Sequence, residues 1–91
     1  MQSTTNSEQG SYIKMSAPVN THAARTMLNR DQDLRDWAEQ YLKEKEHARF
    51  REEQPQASLE EFERHWRYAK PELMHEGAVE AVTAYRERQQ N

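Results

Sequence analysis

A helix start signal at Ser58 constrains the fold of this chain more than any other stretch of its sequence. The Ser58 hydroxyl is placed to accept a hydrogen bond from the backbone N–H of Glu61, and the Glu61 carboxylate to accept one from the Ser58 N–H. Apolar residues then recur at helical spacing and form one stripe: Leu59, Phe62, Trp66 and Ala69. The sequence therefore predicts an amphipathic helix over residues 59–69 whose apolar stripe faces a core.

Two prolines divide the flanking sequence into further helices. Pro55 lacks an N–H and disfavours a helical conformation at Gln54, so a turn is predicted over residues 54–57. Lys70 and Pro71 mark a second predicted break, because proline suits the first turn of a new helix. The predicted helices are residues 22–48, 59–69 and 72–88.

The segment 22–48 is predicted as one amphipathic helix, with two helices as the alternative. Thr21 is a candidate cap at its start, and Asp31 or Asn29 would cap a second helix. Its apolar stripe contains Met27, Leu34, Trp37, Ala38, Tyr41 and Ala48. Because the connection at residues 54–57 is short, we expect antiparallel neighbours, with residues 34–41 facing residues 62–69.

The last predicted helix has the stripe Met74, Ala78, Ala81, Val82 and Tyr85. Gly77 lies on the same face, where a missing side chain allows close approach of another helix. A kink at residues 75–77 is the alternative to a straight helix. The predicted fold is all-α, a small three-helix bundle, or four helices if a short N-terminal helix forms.

Residues 1–20 are rich in Ser, Thr, Asn and Gln, and their few apolar residues are isolated. This composition predicts a disordered arm ahead of a single helical domain over residues 21–91, since so little apolar area cannot offset the entropy lost on ordering. As an alternative, Tyr12 and Ile13 would order the arm on a partner.

The composition limits the classes of function. Hydrophobic residues make up 34% of the chain and charged residues 32%, so the core is small and a partner or a second copy, as a homodimer, is expected. The net charge of −3 hides a mixture of signs without long runs, which makes nucleic-acid binding an unfavoured alternative. We expect no membrane contact and a cytoplasmic location, because neither a signal sequence nor a spanning apolar run is present.

Catalytic and metal sites are not predicted. The chain has no cysteine, and Ser58 is accounted for by its capping role, so we expect neither an enzyme nor a bound cofactor. Glu44 with His47 and Glu72 with His75 have the spacing of di-metal carboxylate sites, but such sites need further carboxylates from other helices. His65 is expected to be partly buried and hydrogen-bonded, and His22 to lie on the surface.

Residues that lie off the apolar stripes indicate a binding surface. The predicted partner-binding residues are Phe50, Arg64, Arg67 and Tyr68, since exposed aromatic and arginine side chains are enriched at binding hot spots. Val79 is also off-stripe. We expect Glu60–Arg64 and Glu63–Arg67 ion pairs on the outer face of the same helix.

The function hypothesis is a non-enzymatic protein-binding module, such as a small adaptor, inhibitor or assembly factor. The alternative is a dimeric nucleic-acid-binding regulator, which would require the fold to bring together four arginines: Arg64, Arg67, Arg86 and Arg88. The acidic residues Glu76, Glu80 and Glu87 weigh against that alternative, because they would meet phosphates unfavourably.

Overall fold

The computed structural model describes residues 19–90, which form four α-helices and no strand. They are α1 (Thr21–Arg30), α2 (Gln32–Glu53), α3 (Leu59–Glu76) and α4 (Ala78–Gln89). The predicted all-α class is confirmed, in the form with a short N-terminal helix.

The predicted arm lies outside the described residues except for its last two positions. Val19 packs against the core, and Asn20 caps α1 by accepting a hydrogen bond from the Ala23 N–H at 2.8 Å. Thr21 is already helical and is not the cap. Residues 19 and 20, which were predicted as the end of the arm, therefore belong to the helical domain.

A single residue, Asp31, separates α1 from α2. Its Oδ1 atom accepts a hydrogen bond from the Leu34 N–H at 3.1 Å, and its own N–H donates to the Met27 carbonyl at 3.0 Å. Asp31 thus caps the start of one helix and closes the end of the other. The prediction of one helix over residues 22–48 is wrong, because this cap divides the segment and α2 continues to Glu53.

The buried residues of α2 follow a four-residue spacing: Leu34, Ala38, Leu42, Glu46 and Phe50. Each step of four residues turns about 40° around the helix axis, so the buried face turns through about 160° along α2. Near its start α2 contacts α1 and α4, through Arg35 with Leu28 and Trp37 with Tyr85, and near its end it contacts α3 through Phe50 with Phe62. Ala48 of the predicted stripe is exposed for this reason.

The turn before α3 and the start of α3 are as predicted. Residues 55 and 56 form a turn. The Ser58 N–H donates to Glu61 Oε1 at 2.7 Å, and the Glu61 N–H donates to Ser58 Oγ at 3.1 Å, which confirms the capping box. Leu59 is 63% exposed, however, so the first residue of the predicted stripe does not reach the core.

Helices α2 and α3 lie antiparallel, but in a different register from the prediction. Two ion pairs join them, Lys43 to Glu63 at 3.1 Å and Lys70 to Glu39 at 3.0 Å. Phe62 stacks on His47 with ring centroids 4.2 Å apart, which is beyond residues 34–41. The turn lies where it was predicted, but α2 stays helical to Glu53, so residues of α2 nearer to that turn are the ones that face α3.

Helix α3 continues through Pro71 to Glu76, so the predicted break at Lys70 and Pro71 is wrong. Proline in a helix removes the hydrogen bond to the carbonyl four residues earlier, here that of Arg67. Both residues are exposed, and water can hydrate this carbonyl. The inner side of the same turn contributes Leu73 and Met74 to the core, and this packing favours the continuous helix.

Gly77 alone connects α3 to α4, so the predicted single helix over residues 72–88 is wrong, and the chain is interrupted where a kink at residues 75–77 was the alternative. The Gly77 N–H donates to the Leu73 carbonyl at 2.8 Å. A Cβ atom at this position would lie 2.9 Å from Leu42 Cδ2, closer than van der Waals contact allows. The absence of a side chain therefore permits the close approach of this junction to α2, as expected.

The core is small and extends along α2. Its buried apolar members are Ala24, Leu28, Leu34, Ala38, Leu42, Phe50, Phe62, Trp66, Ala78, Ala81 and Val82. The predicted stripe of α4 is confirmed at residues 78, 81 and 82, and Tyr85 packs edge-on against Trp37 at 5.4 Å. Val79 is half-buried against the core, so its assignment as an off-stripe surface residue is wrong. Met27, by contrast, is exposed.

None of the four helices within residues 19–90 is both long enough and apolar enough to cross a membrane.

Candidate functional site

The outer face of α3 carries the most exposed large side chain of the candidate site. Tyr68 is 89% exposed, and it lies on the side of the helix opposite the buried Phe62 and Trp66. Both ends of α3 are fixed, by the Ser58 capping box at the start and by the Gly77 junction at the end. Tyr68 is thus held on a rigid element with its ring in solvent.

Arg64 and Arg67 are exposed on α3 near Tyr68, as predicted. The predicted ion pairs Glu60–Arg64 and Glu63–Arg67 do not form. Within residues 19–90 neither arginine forms a salt bridge. The expected partner of Arg67, Glu63, instead pairs with Lys43 of α2. Two unpaired guanidinium groups therefore remain available on the outer face of α3.

Phe50 does not belong to this surface. It is only 7% exposed, and its ring lies 5.5 Å from Phe62 and 4.9 Å from His65, measured between centroids. A fixed apolar stripe along α2 predicts that Phe50 lies off that stripe and is exposed. Because the buried face rotates along α2, residue 50 points toward α3, so the predicted role of Phe50 in partner binding loses its basis.

A polar group that the sequence analysis missed lies beside Phe50. Glu46 is 8% exposed, and its carboxylate accepts hydrogen bonds from Arg49 Nε at 3.0 Å and from Arg49 Nη2 at 2.5 Å. His65 Nε2 of α3 lies 2.6 Å from Glu46 Oε2. This contact joins α2 to α3, and it confirms that His65 is partly buried and hydrogen-bonded.

The electrostatic state of Glu46 follows from these contacts. Hydrogen bonds from Arg49, and secondarily the one with His65, lower its pKa to about 2, against a desolvation effect that opposes them. Glu46 is therefore ionised at neutral pH and acts as a fixed acceptor, not as a proton donor. The four-residue spacing of Leu34, Ala38 and Leu42 is the sequence signal that places it in the buried face.

A second ionic group joins α2 to α4. Lys45 pairs with Glu80, and the Tyr41 hydroxyl donates to Glu80 Oε2 at 3.1 Å. The hydrogen bond from Lys45 lowers the pKa of Glu80, while burial and the contact with Glu80 raise the pKa of Tyr41. Lys45 and Glu80 are exposed and Tyr41 is half-buried, and the group joins α2 to α4.

The four arginines of the nucleic-acid alternative lie on two helices. Arg64 and Arg67 follow Glu63, which pairs with Lys43 in the middle of α2. Arg86 and Arg88 follow Tyr85, which packs on Trp37 near the start of α2. The two pairs therefore lie at different levels of the bundle.

The candidate metal-ligating pairs have other surroundings. Glu44 accepts a hydrogen bond from Gln40 at 2.9 Å, and His47 stacks on Phe62. Glu72 and His75 are exposed. Within residues 19–90, no three histidine or carboxylate side chains are placed to hold a metal ion together.

An open groove of about 720 Å³ lies between α1, α2 and α3. Two arginines that line the groove donate hydrogen bonds to backbone carbonyls at the ends of helices. Arg25 Nε donates to the His75 carbonyl at 3.0 Å, and Arg35 Nε donates to the Leu28 carbonyl at 3.0 Å. These contacts stabilise the ends of α3 and α1.

Comparisons with protein-family models, with curated proteins and with solved structures found no match for this chain.

Proposed function

We propose that the chain is a non-enzymatic, cytoplasmic protein-binding module, a small adaptor, inhibitor or assembly factor, that acts through the outer face of α3. The observation that supports this proposal is the 89% exposure of Tyr68 on the same outer face as Arg64 and Arg67, which form no salt bridge within residues 19–90. Tyrosine and arginine are the residue types that most often dominate the binding energy of protein interfaces.

The rigidity of α3 adds to the case. A partner that binds a preformed helix does not have to order the backbone, so less of the interaction energy is lost as conformational entropy. Tyrosine supplies a large contact area with only two side-chain torsions to immobilise. A buried hot-spot side chain typically costs about 2 kcal/mol or more on truncation, which is about 30-fold in affinity.

Capture of partners from the native cell, followed by mass spectrometry, tests this function. The full chain and its Tyr68→Ala variant are immobilised side by side. Leu59→Ala is the matched control, because Leu59 is a large exposed apolar side chain of the same helix that lies toward the opposite side. A partner that binds through Tyr68 is retained by the Leu59 variant and lost by the Tyr68 variant. Equal capture by all three proteins would refute the proposed surface.

Arg64 and Arg67, which form no salt bridge within residues 19–90, are the one observation for the second candidate, a dimeric nucleic-acid-binding regulator, since Arg86 and Arg88 lie at another level of the bundle. Contacts to phosphates make affinity fall steeply with salt. A titration of duplex DNA at increasing salt concentration separates the two functions. Absence of binding at low salt removes the nucleic-acid candidate and leaves the protein-binding one.

A further inference from the structure

Three exposed residues of α3 follow one another at four-residue spacing: Arg64, Tyr68 and Glu72. Neighbours in this row are about 6 Å apart along the helix axis. The row carries a positive charge, an aromatic ring and a negative charge, in that order. Neither Arg64 nor Glu72 forms a salt bridge within residues 19–90.

The row exists only because α3 continues through Pro71. A break at that proline would place Glu72 on a different helix from Arg64 and Tyr68. In the continuous helix the three side chains form one ridge of the kind that packs into the groove of another helix.

The ridge is complementary to itself when two copies lie antiparallel. A twofold axis at Tyr68 brings the two tyrosine rings together and places each Arg64 opposite Glu72 of the second copy. A parallel pair would instead oppose Arg64 with Arg64 and Glu72 with Glu72, which is unfavourable. The order of charges thus selects the antiparallel arrangement.

We propose that a second copy of this chain binds the outer face of α3 and forms an antiparallel, twofold-symmetric dimer through the ridge Arg64, Tyr68 and Glu72. This inference rests on the proposed function, because it assigns an occupant to the same face. The two symmetric ion pairs fix the register of the dimer, and the paired Tyr68 rings supply its apolar centre. Since one ridge per chain makes a small interface, the dimer is weak and dissociates on dilution.

Sedimentation equilibrium of the full chain over a wide concentration range tests the dimer. Arg64→Glu and Glu72→Arg each turn both intermolecular ion pairs into like-charge contacts, so each variant is expected to weaken dimerisation about tenfold or more. The double variant Arg64→Glu with Glu72→Arg exchanges the charges and restores the dimer. An equimolar mixture of the two single variants forms a heterodimer, because both cross-contacts are then attractive.

Arg51→Glu is the matched control. It makes the same charge change at an exposed position of α2, outside the outer face of α3, so it is expected to leave dimerisation unchanged. Thermal unfolding followed by circular dichroism verifies that each variant is folded, as expected for exposed positions. A wild-type chain that stays monomeric, a dimer insensitive to the single variants, or a double variant that fails to dimerise would overturn the inference.

The two proposals fail in distinguishable ways. A monomeric chain that still captures a different protein through Tyr68 contradicts the dimer and supports the protein-binding function. A dimer that dissociates in Arg64→Glu and reforms in the double variant supports both. A chain that neither dimerises nor captures a protein through Tyr68 contradicts both.

Discussion

At the scale of single residues, Glu46 shows how one buried carboxylate links a local choice of residue to the stability of the fold. It occupies a position in the buried face of α2 where an apolar side chain would be expected. Arg49 and His65 compensate for its burial. An ionised group that is largely buried needs such partners, since its desolvation is otherwise costly.

The pKa of Glu46 predicts a pH dependence of stability. Its folded-state value of about 2 lies below the ordinary value of 4.5, so the carboxylate stabilises the fold above pH 4.5 and this stabilisation is lost as the pH falls toward 2. We expect Glu46→Gln to lower the free energy of unfolding by about 1–2 kcal/mol at pH 7, with allowance for the solvent screening of the half-exposed Arg49.

Urea unfolding at a series of pH values measures this effect. The difference between wild type and Glu46→Gln should shrink between pH 4.5 and 2. Glu52→Gln is the control, because Glu52 is exposed and has no salt bridge within residues 19–90. A difference that does not change with pH would show that Glu46 contributes by packing instead of by charge.

At the scale of elements, the continuity of α3 through Pro71 sets both the length of the outer face and the position of Gly77. Replacement of Pro71 by alanine restores the missing hydrogen bond to the Arg67 carbonyl. We expect Pro71→Ala to raise the free energy of unfolding by about 1–2 kcal/mol, since the larger entropy of the unfolded alanine chain offsets part of the gain.

Chemical denaturation of Pro71→Ala provides the measurement, with Pro55→Ala as the control in a turn. Pro55 interrupts no helix, so its replacement should leave stability unchanged or reduce it slightly. A neutral or destabilising Pro71→Ala would indicate that residue 71 begins a helix, as the sequence analysis expected.

The elements differ in how far sequence could predict them, and the difference is physical. The Ser58 capping box was predictable because its hydrogen bonds join residues three apart, and Asp31 was named as a candidate cap for the same reason. The path of α3 through Pro71 was not, because packing of Leu73 and Met74 outweighs the local preference of proline for a helix start.

The candidate site was predictable in part. Tyr68, Arg64 and Arg67 lie on the outer face because α3 keeps one buried face along its length. Phe50 was wrongly predicted to be on the surface, and Glu46 was not identified as buried. Both errors arise because the prediction assumed one straight apolar stripe along α2, whereas the buried face of α2 turns from α1 and α4 toward α3. The four-residue spacing of Leu34, Ala38 and Leu42 carries a signal of that rotation, but which helix covers each part of α2 is set by the tertiary fold.

At the scale of the whole molecule, α2 connects the α4 side of the fold and the α3 side into one cooperative unit. Trp37 packs on α4 near the start of α2, and Trp66 of α3 is buried in the core that α2 shares with the other helices. The buried face of α2 is continuous between these two contacts. We therefore expect the parts of the fold around Trp37 and around Trp66 to unfold together.

Single-tryptophan variants test this cooperativity. In Trp37→Phe the fluorescence reports on Trp66, and in Trp66→Phe on Trp37. Within each variant, the urea transition followed by fluorescence should coincide with that followed by circular dichroism. Two separated transitions would show that the hairpin of α2 and α3 opens by itself.

The connections between the helices determine where the chain tolerates added sequence. Asp31 and Gly77 are each the single residue between two helices. Asp31 makes capping hydrogen bonds, and Gly77 lies in close contact with Leu42. Within residues 19–90, the turn at 54–58 is the one connection longer than a single residue, and residues 54–56 are exposed. An affinity tag or a fluorescent domain inserted after Pro55 would therefore extend from the tip of a helical hairpin, away from Tyr68 and without dividing any helix.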